Sequence, residues 1–457
     1  MVNFTSLQFI FRFLIVFLPV YFLVPARAKN WVMLFGSLVF YAFGEPIFII
    51  LLIALTVINF LLADRCYSFS RNVSESYFEK KRKWLTLTAV VIDLSVLVVF
   101  KALAVFVDGS LLPLGLSFYI FKMISYQVDV MRKDIPVRPT FVQTAAYFTL
   151  FAQVTQGPIM RYEDGEFFNE KKPTWEKAEE GLKLFILGFA MKTLLADRIG
   201  ILWNDLSMYG YESISTPLAW LGTLAYSFEL YFDFWGYSLM ASGIMVAMGF
   251  EFVRNFDHPY ASKSISEFYR RWHVTLGSFF RDYVYFPLGG SRCNKGRMVI
   301  NLAVVWLLTG IWHGNGVNFL IWGAVLGVFI ILEKLFFGKF MQNSKVIGHI
   351  YTIAVIPLTW VVFAIGDIKQ LGIYFGRLFP FFGIGSEVVN SQDIWQYLGN
   401  YGWMFAIAIA LCIPGITKLY RKFSKSPVVV VCLFALFWIS IYFSASSAGN
   451  PFMYLNF

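Results

Sequence analysis

Two of the four histidines in this 457-residue chain stand where an imidazole can do chemistry. His313 lies in VVWLLTGIWHGNGVNFLIWG, well inside an apolar run, with Gly-Asn-Gly directly after it. An ionisable group at that depth must be desolvated, hydrogen-bonded or beside water, and its cost makes a functional role the default reading. Trp306, Thr309, Gly310 and His313 follow one another at helical spacing and share a face. A neutral imidazole there can take a proton from an attacking hydroxyl, the work of a general base. The bland alternative is a helix break capped by Asn315, with the ring bonded to a backbone carbonyl. The flanking glycines remove steric bulk, which suits close approach of a substrate. Trp312 and Asn315 are expected to line the cavity around His313.

His273 lies in SISEFYRRWHVTLGSFFRDYVYF. Ser264 followed by Glu267 fits a capping box. Ile265, Phe268, Tyr269, Trp272, Leu276, Phe279, Phe280 and Tyr283 then fall on one helical stripe, which predicts a single amphipathic helix along the membrane interface. Glu267 and Arg271 have the favourable order for an ion pair one turn apart. On a continuous helix Arg270 and Arg281 would lie within roughly 20° of each other, opposite the apolar stripe. His273 is either a packed core histidine or one that faces a substrate passage. The basic residues either anchor anionic headgroups or hold the phosphates of a cytoplasmic donor. For the second role the candidates are Arg270, Arg271, Arg281 and Arg292.

Two other groups compete. Glu229 and Asp233, four apart in YSFELYFDFWGYS, could bind a cation or relay protons, or be neutralised by Lys192 or Arg198. The balance favours neutralisation. In FAQVTQGPIMRY, Gln153 and Gln156 precede a Gly-Pro break and are expected to form a polar cavity wall. There is no GxSxG elbow, phosphate-binding GxxxxGK[ST] loop or HExxH, which argues against a soluble-type hydrolase, a P-loop ATPase and a zinc protease. The four cysteines have no metal-ligand spacing.

The elements that must position these residues belong to a membrane protein. The chain is 58% hydrophobic and 14% charged, too few charges for a water-facing surface of this size. Apolar runs near 20 residues, long enough for about 30 Å of hydrocarbon, recur throughout. Thirteen such starts are readable. About eleven are expected to be transmembrane helices, with Pro113–Asp129 and the run before His313 the candidates for re-entrant or interfacial segments. The net charge of +10 comes from basic loops, the positive-inside pattern, and does not indicate nucleic acid. Arg27 and Lys29, then Arg65, Arg71 and Lys80 to Lys83, then Arg132, Lys133 and Arg138 fall after successive odd crossings. That places all three clusters, and the basic insertion at about 251–297, in the cytoplasm. No repeat or linker divides residues 1–457, so a single membrane domain is expected.

Several segments are familiar. PLGLSFYIFKMISYQVDV, GPIMRY, GFAMKTLLADR, YFDFWGYSLMASG, NFDHPYASKSISEFYRRWHVTLGSFFRDYVYFPLGGSR, GIWHGNGVNFLIWG and the terminal PFMYLNF occur in family order from about residue 113 onward. The chain resembles the membrane-bound O-acyltransferase (MBOAT) family, most closely the bacterial branch that includes alginate O-acetylation. The WH…PLGG…WHG series is the specific part. The resemblance implies an all-α polytopic protein with re-entrant and interfacial helices around a central funnel. It carries the family's catalytic histidine to His313 and the second histidine to His273. Trp235, Leu239 and Asn315 depart from that branch's usual residues.

The resemblance further implies a multi-pass protein of the bacterial inner membrane that receives acetyl from acetyl-CoA or another acyl thioester, with no bound cofactor. An extracytoplasmic acetyltransferase would then deliver the group to a cell-surface or exported polysaccharide. The alternative within the family is D-alanyl transfer to teichoic acid from an acyl carrier protein. The alternative of another class is a proton-coupled transporter using Glu229, Asp233 and His313, against which the lack of an inverted repeat counts.

Overall fold

The computed structural model describes residues 4–67, 75–165, 172–344, 346–382, 389–446 and 452–453; Arg71, Pro451 and residues 454–457 lie outside them. The protein is an all-α polytopic membrane protein, with no strand among the described residues. Hydrocarbon supplies no hydrogen-bond partner, so an uninterrupted helix satisfies the backbone of each crossing.

Seven described helices are long and apolar enough to cross: Ile49–Tyr67, Glu75–Phe106, Gly109–Arg132, Lys295–His313, Val317–Asn343, Ile347–Ala364 and Pro427–Ser446. An eighth is counted if Asp393–Cys412 and Pro414–Phe423, bent by 80°, form one span. The other expected segments fall on helices that are shorter or more polar. Examples are Lys29–Gly44, the nine-residue Phe141–Thr149 and the acid-bearing Thr216–Ala247. The two candidates for re-entrant or interfacial segments lie on helices that are long and apolar enough to cross. In the first, Lys122 needs no break, because its ammonium donates to the Tyr147 carbonyl and to Gln153 Oε1 at 2.9 Å.

The chain forms two compact units, Met1–Ile186 with Tyr237–Val253, and Leu187–Gly236 with Arg254–Phe457. In the first, a buried polar chain ties three helices together. Asn59 donates to Asp93 Oδ1 at 2.9 Å, and Gln127 donates to Asn59 Oδ1 at 2.9 Å. Such interhelical bonds are worth roughly 0.6–2 kcal/mol each inside a membrane. In the same unit Phe9, Phe13 and Phe17 stack in succession, and Phe151 meets Phe13 and Phe17 edge-on and Phe40 at a tilt.

In the second unit the helices Lys295–His313 and Val317–Leu332 form a tight hairpin. A Cβ on Gly323 would lie 2.5 Å from the Trp306 carbonyl oxygen and 3.2 Å from Gly310 Cα, so only glycine permits the crossing. The glycines around His313 therefore serve packing rather than substrate approach. A Cβ on Gly310 would meet the Phe319 carbonyl at 2.6 Å, and one on Gly314 the Phe319 ring at 2.2 Å. The polar anchor of the turn is Asn318, which donates to the Phe363 carbonyl at 2.8 Å, whereas Asn315 is exposed.

Of the two competing acids, Asp233 is neutralised in this unit. Lys192 pairs with Asp233 at 2.6 Å and Asp197 at 2.7 Å, while Arg198 lies over the Phe443 ring. Glu229 occupies the space a Cβ on Gly200 would fill, 2.2 Å from Oε1.

Candidate functional site

The amphipathic segment is not one helix. It runs as Ile265–Arg271, breaks at Trp272 and His273, and resumes as Val274–Phe280 with a π-helical turn Arg281–Tyr285. His273 adopts φ +46°, a left-handed conformation that costs a non-glycine residue roughly 1–3 kcal/mol and persists only where its surroundings impose it. The segment 255–257 imposes it. The Val274 amide donates to the Asn255 carbonyl and the Asp257 amide to the Arg271 carbonyl, both at 2.9 Å. The Asn255 side-chain oxygen accepts from the Thr275 amide at 3.3 Å and its hydroxyl at 2.9 Å, opening the second helix as a cap does. Continuous apolar periodicity concealed this break.

The first helix starts as expected, with Ser264 Oγ accepting from the Glu267 amide at 3.1 Å. Glu267 reaches back to the Lys263 amide at 3.0 Å, one residue before the usual capping-box partner. The buried Glu333 carboxylate completes the start, accepting from the amides of Ile265 at 2.6 Å and Ser266 at 2.9 Å.

His313 ends its helix buried among rings: Trp312 at 4.7 Å, Trp322 at 4.9 Å and Phe363 at 5.2 Å between centroids. His273 is buried against Phe234 at 4.6 Å, and its Nδ1 lies 3.1 Å from Asn255 Oδ1. The Trp312 ring, 6.2 Å from that of His273, is a neighbour of both imidazoles. Burial pushes the pKa of His273, which lies outside the candidate spans, down to about 3, so its imidazole is neutral near pH 7.

Both histidines line one cavity of about 570 Å³, the size of a small-molecule site. Its apolar wall includes Trp272, Trp306, Trp322 and Leu276, and its polar rim Ser266, Ser278, Arg270, Arg281 and Lys334. Among the described residues that line it there are three cations and no carboxylate. Arg281 is held in a two-point pair with Asp282, at 2.8 and 2.9 Å. The remaining candidates lie elsewhere. Arg271 pairs with Glu267 at 2.6 Å and donates to the Asp257 carbonyl, and Arg292 is exposed in the turn before Lys295–His313. Gln153 and Gln156 are buried in the first unit, where Gln153 serves Lys122.

Sequence reasoning missed Lys334 and Asn255. Lys334 reads as one more basic residue at the end of an apolar run, and Asn255 as one more polar loop residue.

The arrangement offers two imidazoles, an aromatic wall and a cationic rim for a polyanion. That combination fits transfer of a group from an anionic carrier to a hydroxyl. Residues 39–376 match the model of the MBOAT, membrane-bound O-acyltransferase family. The chain is 36% identical to a probable alginate O-acetylase of Pseudomonas syringae pv. tomato, over 83% of this chain and 75% of that one. It is 36% identical to a probable alginate O-acetylase of Azotobacter vinelandii, over 92% and 86% respectively. It is 28% identical to a peptidoglycan O-acetyltransferase of Helicobacter pylori, over 99% and 97%.

Proposed function

The chain belongs to the membrane-bound O-acyltransferase family and is an O-acyltransferase, and on that premise we propose that it moves acetyl from a cytoplasmic thioester, acetyl-CoA, for O-acetylation of a cell-surface or exported polysaccharide. The observation that carries this reading is the shared cavity, in which His313 and His273 lie with Arg270, Arg281 and Lys334 and no acid among the described lining. Relatives named for alginate and for peptidoglycan acetylation support a glycan as the final acceptor.

In this reading the donor's phosphates meet the cationic rim, as charge-assisted hydrogen bonds favour, and its acyl end reaches the aromatic wall. His313 takes the proton as an acceptor hydroxyl attacks the thioester carbonyl. The C–S bond then breaks, and the proton passes to the departing thiolate. The acceptor is the glycan hydroxyl itself or a nucleophile that hands acetyl to an extracytoplasmic acetyltransferase partner. The membrane is the bacterial inner membrane, with the 251–297 insertion on its cytoplasmic side, as the basic loops favour.

The test is His313→Ala expressed at the normal level, with O-acetyl on the surface glycan measured directly. Loss of a general base lowers the rate about 10²–10⁴-fold, so acetylation should vanish. Wild-type acetylation in the variant would sink the assignment. Release of D-alanine from a charged carrier protein, in place of free CoA from acetyl-CoA, would move the donor assignment to alanyl transfer.

A further inference from the structure

The bonds around Asn255 decide more than a backbone turn. Its side-chain Oδ1 accepts from the Thr275 amide, and a backbone amide can only donate, so the atom facing Thr275 is the oxygen. The same oxygen lies 3.1 Å from His273 Nδ1. Two acceptors cannot share a hydrogen bond without a proton between them. Nδ1 therefore carries the hydrogen, and in the neutral ring Nε2 holds the lone pair.

We propose that Asn255 is a positioning residue that holds His273, a residue lining the reaction cavity, as its Nδ1–H tautomer, so that the buried Nε2 is an acceptor and not a donor. The functional part of this proposal rests on the cavity being the acyl-transfer site. Burial keeps the ring neutral, which preserves the distinction between its two nitrogens. The backbone bonds that clamp residues 271–274 to 255–257 fix the ring's origin, and the Asn255 oxygen fixes its rotation.

The consequence is a division of labour. A neutral Nδ1–H imidazole cannot donate from Nε2 to the oxyanion that develops on the thioester carbonyl. Once a reactant displaces the packing that covers this buried atom, Nε2 can accept from a hydroxyl or an amide N–H and so orient that reactant for His313. His273 thus orients rather than polarises.

A chain with four histidines makes this directly readable. Full-length protein labelled with ¹⁵N-histidine and reconstituted in phosphatidylethanolamine–phosphatidylglycerol vesicles gives four ring-nitrogen pairs by solid-state NMR, and His273→Gln identifies the pair of interest. At neutral pH the expected pattern is protonated Nδ1 and bare Nε2. Asn255→Asp, which keeps an acceptor oxygen, should preserve it; Asn255→Leu should shift it toward the Nε2–H form. A protonated Nε2 in the wild type, or an unchanged pattern in Asn255→Leu, would overturn the proposal.

In cells, Asn255→Leu should lower glycan O-acetylation about a hundredfold, the lower range for a displaced acid–base group. Full acetylation with a shifted tautomer would show that the tautomer does not matter to the reaction and would overturn the positioning role. Retained acetylation in His313→Ala would instead defeat the reading of the cavity, while the tautomer measurement still stands or falls on its own.

Discussion

At the scale of single residues, the rim separates four arginines that look equivalent in sequence. Arg270 and Arg281 line the cavity, Arg281 while paired with Asp282, whereas Arg271 lies outside that lining and is committed to Glu267 and to the Asp257 carbonyl. Arg270→Ala is therefore expected to raise the donor KM about tenfold with kcat little changed, since removing one charge-assisted bond costs about 1.5–3 kcal/mol at most. Arg271→Ala should leave the donor KM unchanged and lower stability by less than about 1 kcal/mol, as for a part-exposed pair. Steady-state kinetics in nanodiscs over a donor series checks both, and equal KM effects from the two variants would dismiss the rim assignment. His313 was legible in the sequence because an ionisable residue in an apolar run is conspicuous. Asn255 was not, since its function depends on which donors surround its oxygen, and spacing carries no trace of that.

At the scale of elements, His313 is positioned by a helix hairpin that closes on Gly310 and Gly323. Gly310→Ala would drive a methyl to 2.6 Å from the Phe319 carbonyl, so the helices must separate or tilt. Overpacking of this kind costs about 1–3 kcal/mol, and a displacement that moves His313 lowers activity further than stability. The expected outcome is a lower melting temperature together with a larger proportional loss of transfer; an unchanged melting temperature would show that the crossing is loose. The cap at Ser264, the Glu267–Arg271 pair and the pairing of Asp233 with Lys192 were all legible, being local or a matter of charge balance. The break at His273 was not. Apolar residues keep helical spacing across it, and the cause lies eighteen residues earlier, at Asn255. In sequence the glycines beside His313 read as room for substrate, because a sequence cannot say which neighbour fills a missing side chain.

For the whole molecule, two histidines outside the candidate spans, His258 and His273, have pKa values held below the ordinary 6.5 chiefly by burial, His273 at about 3. The unfolded chain then binds more protons than the folded one in acid. Stability is full above about pH 6.5 and falls as pH drops toward the folded value, by up to about 1.4 kcal/mol per pH unit for each fully shifted group. Thermal melting in detergent between about pH 7.5 and 4.5 should show this decline, and His273→Gln should flatten it. A wild-type melting temperature independent of pH over that range would contradict the buried, neutral state.

The cavity's uniform sign reaches beyond catalysis. In the proposed reaction its cations bind phosphates that are the same in the loaded donor and in the spent one, so they hold both with similar strength and lower the barrier of neither. If the donor is acetyl-CoA as proposed, free CoA competes through the same phosphate contacts, and turnover responds to the ratio of the two. A cell short of acetyl units would under-decorate its surface without any change in enzyme level, making the outer coat a readout of carbon supply.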